Sequence, residues 1–196
     1  MRIRETGGPI YRLKVTLRGA TPPIWRRFLV PADITLKRLH DSLQAVMGWT
    51  DSHLHQFSAK GVLYGTSDRE FGLKRVSETR TMLAEVLRRP KDRLKYQYDF
   101  GDSWEHEVVL EAVLPPGSNG RYPIVEDGRR ACPPEDVGGI PGYARFLEVL
   151  GNPKHPERRE ILEWVGGRFD PESFDVGEAN LDIHGGWVRR STAPPT

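Results

Sequence analysis

Leu94-Lys-Tyr-Gln-Tyr-Asp-Phe-Gly-Asp-Ser-Trp-Glu-His-Glu-Val-Val-Leu-Glu111 is the stretch on which the fold turns. Two runs alternate with period two and meet at Gly101, which is a hairpin signal. A two-residue turn at Gly101 and Asp102 pairs Tyr98 with Glu105 and Tyr96 with Glu107, mixing the faces. A three-residue loop, Gly101 to Ser103, pairs Phe100 with Trp104, Tyr98 with His106, Tyr96 with Val108 and Leu94 with Leu110. A one-residue slip flips every side chain, so only the second register leaves one face apolar. That register sets Asp99 opposite Glu105 and Gln97 opposite Glu107, with Asp102 at the tip. Like charges directly opposite are unfavourable. The reading therefore expects an Arg or Lys, a metal or water to offset them.

Working outward, 196 residues with 37% hydrophobic and 29% charged composition suit one soluble domain with a core of its own. Cys132 stands alone, which excludes an intrachain disulfide and points to a reducing compartment. The N-terminus lacks an apolar signal region, and no apolar run approaches the ~18 residues of a membrane span. The expectation is a cytoplasmic protein that does not engage a membrane. The net charge of +2 hides an asymmetry: residues 1–40 hold nine basic against two acidic residues, and the remainder is net acidic. Arg12, Lys14, Arg18 and Arg26 form a candidate nucleic-acid patch on this basic first hairpin. The plainer reading is a solvated sheet face, since no basic tract, zinc-finger spacing or helix-turn-helix accompanies it.

In chain order, Tyr11 to Leu17 alternates as a strand, and Ile24 to Val30 makes its partner. Leu36, Leu39, Leu43 and Val46 recur at helical spacing, with Asp33 or Thr35 as cap and Gly48 as stop. His40 borders that apolar stripe. His53, His55 and Phe57 then share a strand face, and His-x-His at period two can ligate a metal. This strand–strand–helix–strand order is that of a β-grasp half. Residues 61–77 read as a loop or short hairpin, and Thr79 or Thr81 opens a short helix that stops before Pro90. Tyr122 to Glu126 reads as an edge strand. Cys132 to Tyr143 is too rich in Pro and Gly to be regular and leads into a helix from Tyr143 to Leu150. A further helix spans Glu157 to Val165, and Phe169, Phe174, Val176 and Leu181 anchor the tail. The fold class expected is α+β: a mixed, mostly antiparallel sheet with a β-grasp-like N-terminal unit and helices packed on one side. It forms a single domain over residues 10–185, with flexible termini at 1–9 and 188–196.

Three motifs stand out together: His53-Leu-His-Gln-Phe57, Tyr96-x-Tyr-Asp-Phe-Gly-Asp-Ser-Trp-Glu-His106 and Cys132-Pro-Pro-Glu-Asp-Val-Gly-Gly-x-x-Gly-Tyr143. In this order the chain, from about Ile10 to Ile183, resembles the plasmid pRiA4b ORF-3-like family. The resemblance implies an α+β domain associated with plasmids and insertion sequences, whose members carry a transposon-passenger or resolvase label without an assigned activity. A serine recombinase needs a nucleophilic serine near its N-terminus, and the first serine here is Ser42, within the helix. The family often has a second cysteine where this chain has Val137, so a two-cysteine metal site is not available.

The candidate binding pocket comprises Tyr98, Asp99, Asp102, Trp104 and His106 from the hairpin, with Cys132, Glu135, Asp136, Gly138, Gly139 and Tyr143 from the loop. As a binding or accessory module, the chain uses these residues to hold a protein or nucleic-acid partner without turnover. As a metal-dependent hydrolase of phosphodiesters, it uses carboxylates with Asp102, His53, His55 and His106 as candidate ligands for a divalent metal. As a structural domain, it uses the same residues to cap turns. The register sets His106 on the apolar face, apart from Asp99 and Glu105. Cys132 as nucleophile needs an adjacent histidine and a lowered pKa, and prolines follow it directly.

Overall fold

The computed structural model describes residues 8–66, 74–116 and 121–185. Most of the N-terminal arm and the whole 188–196 segment, both expected to be flexible, lie outside the described residues. Strands β1 (Ile10–Leu17) and β2 (Trp25–Pro31) form the first hairpin, followed by helix α1 (Leu36–Met47). The Thr35 hydroxyl accepts from the Arg38 N–H at 3.3 Å, and Gly48 closes the helix in the left-handed conformation with φ 77°. Next come β3 (His55–Ala59), β4 (Val62–Gly65), β5 (Val76–Ser77) and the single-turn α2 (Leu83–Val86). The central hairpin is β6 (Arg93–Tyr98) and β7 (Trp104–Leu114), and β8 (Ile124–Arg129) follows. Helices α3 (Gly139–Gly151), α4 (Arg158–Trp164) and α5 (Val176–Gly185) complete the chain.

The strands form one sheet in the order β5-β4-β3-β6-β7-β1-β2-β8. All adjacent pairs are antiparallel except β4 with β5. One face carries Leu13, Val15, Phe28, Tyr96, Trp104 and Val108 into a core shared with Leu36, Leu39 and Leu43 of α1 and with Tyr143 and Phe146 of α3. The α+β class holds. The strand after α1 does not pair with β1; β7 and β6 come between them, where a β-grasp has a single strand. β1 is claimed instead by the long strand β7, whose ladder with it runs from Ile10–Leu114 to Leu17–His106.

The central hairpin corrects the expected register by two residues. Tyr98 faces Trp104, Tyr96 faces His106 and Leu94 faces Val108, so the connecting loop is Asp99 to Ser103. Asp99 lengthens the loop: it adopts a left-handed φ of 54°, and its Oδ1 accepts from the Gly101 and Asp102 N–H groups at 2.8 and 3.3 Å. An even shift preserves the faces, so the inward set remains apolar while Phe100 is left exposed in the loop. The expected clash of carboxylates disappears, because Gln97 faces Glu105 and Lys95 faces Glu107. Helix α3 starts at Gly139 rather than Tyr143, since a proline such as Pro141 is tolerated in a first turn. Helix α5 closes the tail, yet Leu181 is 73% exposed and does not anchor it. Asn180 does this instead, exchanging side-chain hydrogen bonds of 2.9 and 3.0 Å with the N–H and C=O of Val125 on edge strand β8.

Candidate functional site

The hairpin tip, the loop before α3 and the segment after α1 meet at one end of the sheet. Trp49 fills the centre, stacked on Tyr98 at 5.2 Å and edge-on to His106 at 5.2 Å, and its indole N–H donates to the Pro133 carbonyl at 2.9 Å. The Tyr98 hydroxyl donates to Glu135 Oε1 at 2.5 Å and accepts from the Ser52 N–H at 3.0 Å. Burial, then the carboxylate beside it, hold this phenol far above its ordinary pKa. Glu135 Oε2 accepts from the Thr50 N–H and hydroxyl at 2.9 and 2.6 Å. Asp102 Oδ2 accepts from the Gly138 N–H at 3.0 Å. At Gly139 a Cβ would sit 2.5 Å from the Asp102 carbonyl oxygen. Tyr98, Asp102, Glu135, Gly138 and Gly139 of the proposed pocket are thus brought together, but the hydrogen bonds among them fasten hairpin to loop. Cys132, by contrast, is held by Arg26, and Tyr143 packs on Phe146 and Phe169.

His106 and Trp104 are fully buried, and neither imidazole nitrogen nor the indole N–H has a hydrogen-bond partner among the described residues. Burial pushes the His106 pKa down to about 4, so it is neutral near pH 7. It lies inside the core, away from the exposed metal-binding candidates. The Tyr143 hydroxyl is likewise unpartnered, and burial pushes its pKa up to about 12.

The expected basic patch is corrected at Arg26, which is 2% exposed. Its guanidinium donates to the carbonyls of Val46, Trp25, Arg129 and Arg130 and to Cys132 Sγ, and it packs 4.0 Å over the Phe174 ring. Alternation explains this: Arg26 shares its face with Ile24, Phe28 and Val30. Burial raises the Cys132 thiol pKa despite Arg26, which disfavours the thiolate that a nucleophile requires. On the open sheet face, Arg12 bonds Glu126 at 2.7 and 3.0 Å, and Arg27 bonds Glu111 at 2.7 and 3.1 Å. Both glutamates occupy register shifts, one in β8 and one in β7. Arg18 pairs with Glu105, and Lys14 lies over Trp25. Acidic strands neutralise most of the basic hairpin.

The metal-binding candidates disperse into separate places. His53 precedes β3, so period two does not tie it to His55. His55 Nε2 pairs with the buried Glu78 at 2.7 Å, and its ring stacks on His40 at 3.5 Å and 6°. His40 belongs to a closed circuit of four hydrogen-bonding groups. Gln44 donates to the Tyr96 hydroxyl, which lies 2.8 Å from His40 Nδ1; His40 Nε2 lies 2.7 Å from Asp51; and the Asp51 N–H returns to Gln44 at 3.0 Å. Burial, then the neighbouring His55, push the His40 pKa down to about 3. His40, Asp51 and His55 have donor atoms close together. Parallel stacked rings nevertheless cannot aim their in-plane lone pairs at one ion, so this is a hydrogen-bonded network.

A second cluster joins His53, Asp99 and Asp136. His53 Nε2 lies 3.1 Å from Asp136 Oδ1 and 3.7 Å from Asp99 Oδ2. Asp136 also lines a surface groove of about 280 Å³ with Val137, Gly142, Arg145, Phe146, Ile161 and Trp164. Trp164 is 41% exposed there, and Arg145 pairs with Glu157 at 2.9 Å. Sequence reasoning missed Trp49, Thr50 and Asp51, which carry no motif, and the α3–α4 groove, which forms only when two helices pack. The alternation of β2 was the signal that could have placed Arg26 inside.

A family model described as "Plasmid pRiA4b ORF-3-like protein" matches residues 9–178. The "Uncharacterized protein y4hQ" of Sinorhizobium fredii (strain NBRC 101917 / NGR234) is 40% identical over 188 residues, covering 93% of this chain and 96% of that one. A crystal structure of MM3350 from Methanosarcina mazei Go1, described as a protein of unknown function, aligns with a TM-score of 0.79 and 40% identity. That alignment covers 87% of this chain and 97% of the other.

Proposed function

The chain belongs to the plasmid pRiA4b ORF-3-like family, and on that premise we propose that it is a non-catalytic binding or accessory module of mobile genetic elements, working in the cytoplasm. Its recognition surface is the groove between the loop before α3 and helices α3 and α4, next to the 94–111 hairpin. One observation carries this reading. Tyr98, Glu135 and Asp102 are bonded internally, whereas the groove is lined by Val137, Phe146, Ile161 and a partly exposed Trp164 together with the charged Asp136 and Arg145. An aromatic side chain with charges at its rim suits a protein segment with one apolar anchor. No helix among the described residues is long and apolar enough to cross a membrane.

Affinity capture from host lysate, followed by reconstitution with the purified partner, tests this function. Trp164→Ala and Arg145→Glu should each weaken the reconstituted complex by about tenfold or more. A partner held equally by both variants would remove the groove as the recognition surface. The second reading, a metal-dependent hydrolase of phosphodiesters, is favoured by Asp136, which belongs both to the groove and to the His53 cluster. Metal-stimulated turnover of bis-p-nitrophenyl phosphate, lost in Asp136→Asn, would put that reading first.

A further inference from the structure

We propose that His53, Asp99 and Asp136 bind a divalent transition ion, Mn²⁺ or Zn²⁺, that ties the hairpin tip to the loop before α3. The spacing of the donors sets this cluster apart from the other histidine–carboxylate contacts. His40–Asp51 and His55–Glu78 sit at 2.7 Å, the length of a charge-assisted hydrogen bond. His53 Nε2 sits 3.1 and 3.7 Å from its two carboxylate oxygens. Metal bonds of about 2.0–2.2 Å put neighbouring donors roughly 3.0–3.6 Å apart in octahedral or tetrahedral coordination.

The bonding of each group agrees. The His53 side chain is 30% exposed, but its Nε2 is sealed from solvent and makes no hydrogen bond among the described residues, although a carboxylate oxygen is 3.1 Å away. The Asp99 residue is 8% exposed. Its Oδ1 is occupied by the Gly101 and Asp102 N–H groups, and its Oδ2 accepts no hydrogen bond among the described residues. Left-handed backbone at Asp99 and Asp136, with φ 54° and 61°, holds both carboxylates on tight loops from separate parts of the chain. One imidazole and two carboxylates favour Mn²⁺ or Zn²⁺ over Mg²⁺, which keeps its waters. Asp136, whose side chain is 69% exposed, leaves one side of the ion open to water.

The test is Mn²⁺ titration of the untagged full chain followed by electron paramagnetic resonance, with Zn²⁺ competing. Saturable uptake with an imidazole nitrogen coupling is expected, and Zn²⁺ should displace the Mn²⁺. His53→Ala should remove the coupling, and His53→Ala and Asp136→Asn should each weaken binding by about tenfold or more. Asp51→Asn, in the other histidine cluster, should bind as the wild type does. Absence of uptake, or affinities unchanged in His53→Ala and Asp136→Asn, would overturn the site. Trp164→Ala should keep the metal affinity, so a chain that binds the ion but no partner separates failure of the groove from failure of this site.

Discussion

The phenol of Tyr98, at the end of β6, donates a 2.5 Å hydrogen bond to the carboxylate of Glu135, in the loop before α3. The same carboxylate accepts two bonds from Thr50. One acidic side chain thus joins the sheet, the segment after α1 and the loop that leads into the groove helices.

Glu135→Ala should cost about 2–3 kcal/mol of folding stability, because it strands three donors at a partly buried point. Tyr98→Phe should cost about 1–2 kcal/mol. A double-mutant cycle by urea unfolding should return a coupling of about 1 kcal/mol or more, and additive losses would contradict the bond.

His106 gives the protein a pH dependence of known sign. Its pKa in the folded state, about 4, lies below the ordinary 6.5, so between these values the unfolded chain binds the extra proton. Stability should therefore be full above pH 6.5 and fall as pH drops towards 4, by on the order of 3 kcal/mol. His40, lowered to about 3, acts in the same direction. Because His106 makes no side-chain hydrogen bond among the described residues, His106→Leu should be nearly neutral at pH 7.5 and should flatten part of the slope. His106→Ala should lose about 2–4 kcal/mol at pH 7.5 by opening a cavity, and less relative to wild type towards pH 4, where it escapes the cost of protonating a buried imidazole. Chemical unfolding from pH 4 to 7.5 reads both.

Arg26 and Arg12 should respond very differently to substitution. Arg26→Lys cannot reproduce the fork that reaches four carbonyls and a sulfur, and should cost about 3 kcal/mol or more. Arg12→Ala, which loses a partly exposed ion pair, should cost about 1 kcal/mol or less. Thermal unfolding would distinguish them. A test of nucleic-acid binding should therefore neutralise Arg12, Lys14 and Arg18 and leave Arg26 in place.

The hairpin tip offers a contrast between a bond and a steric limit. Asp102→Ala removes one hydrogen bond to the Gly138 N–H and should cost about 1 kcal/mol. Gly139→Ala places a methyl group 2.5 Å from the Asp102 carbonyl oxygen at a φ of 67°, and should cost about 2–4 kcal/mol. Equal midpoints for the two variants in denaturant would mean that α3 does not press against the tip.

Local pattern determined much of this protein. The α1 helix from Leu36 to Met47, with its Thr35 cap and Gly48 stop, follows from side-chain period and terminal chemistry. The inward face of the central hairpin follows from alternation, which an error of two residues leaves intact. Alternation also contained the burial of Arg26, but a charged side chain enters a core only where carbonyls await it. Those carbonyls come from Val46, Arg129 and Arg130, parts of the chain far apart in sequence. Tertiary structure alone decided that β7 rather than β3 lies beside β1. It also separated His53 from His55 and brought His53 to Asp99 and Asp136. Period and propensity act over a few residues, whereas strand order and side-chain convergence depend on which long-range packing buries the most apolar surface with its polar groups satisfied.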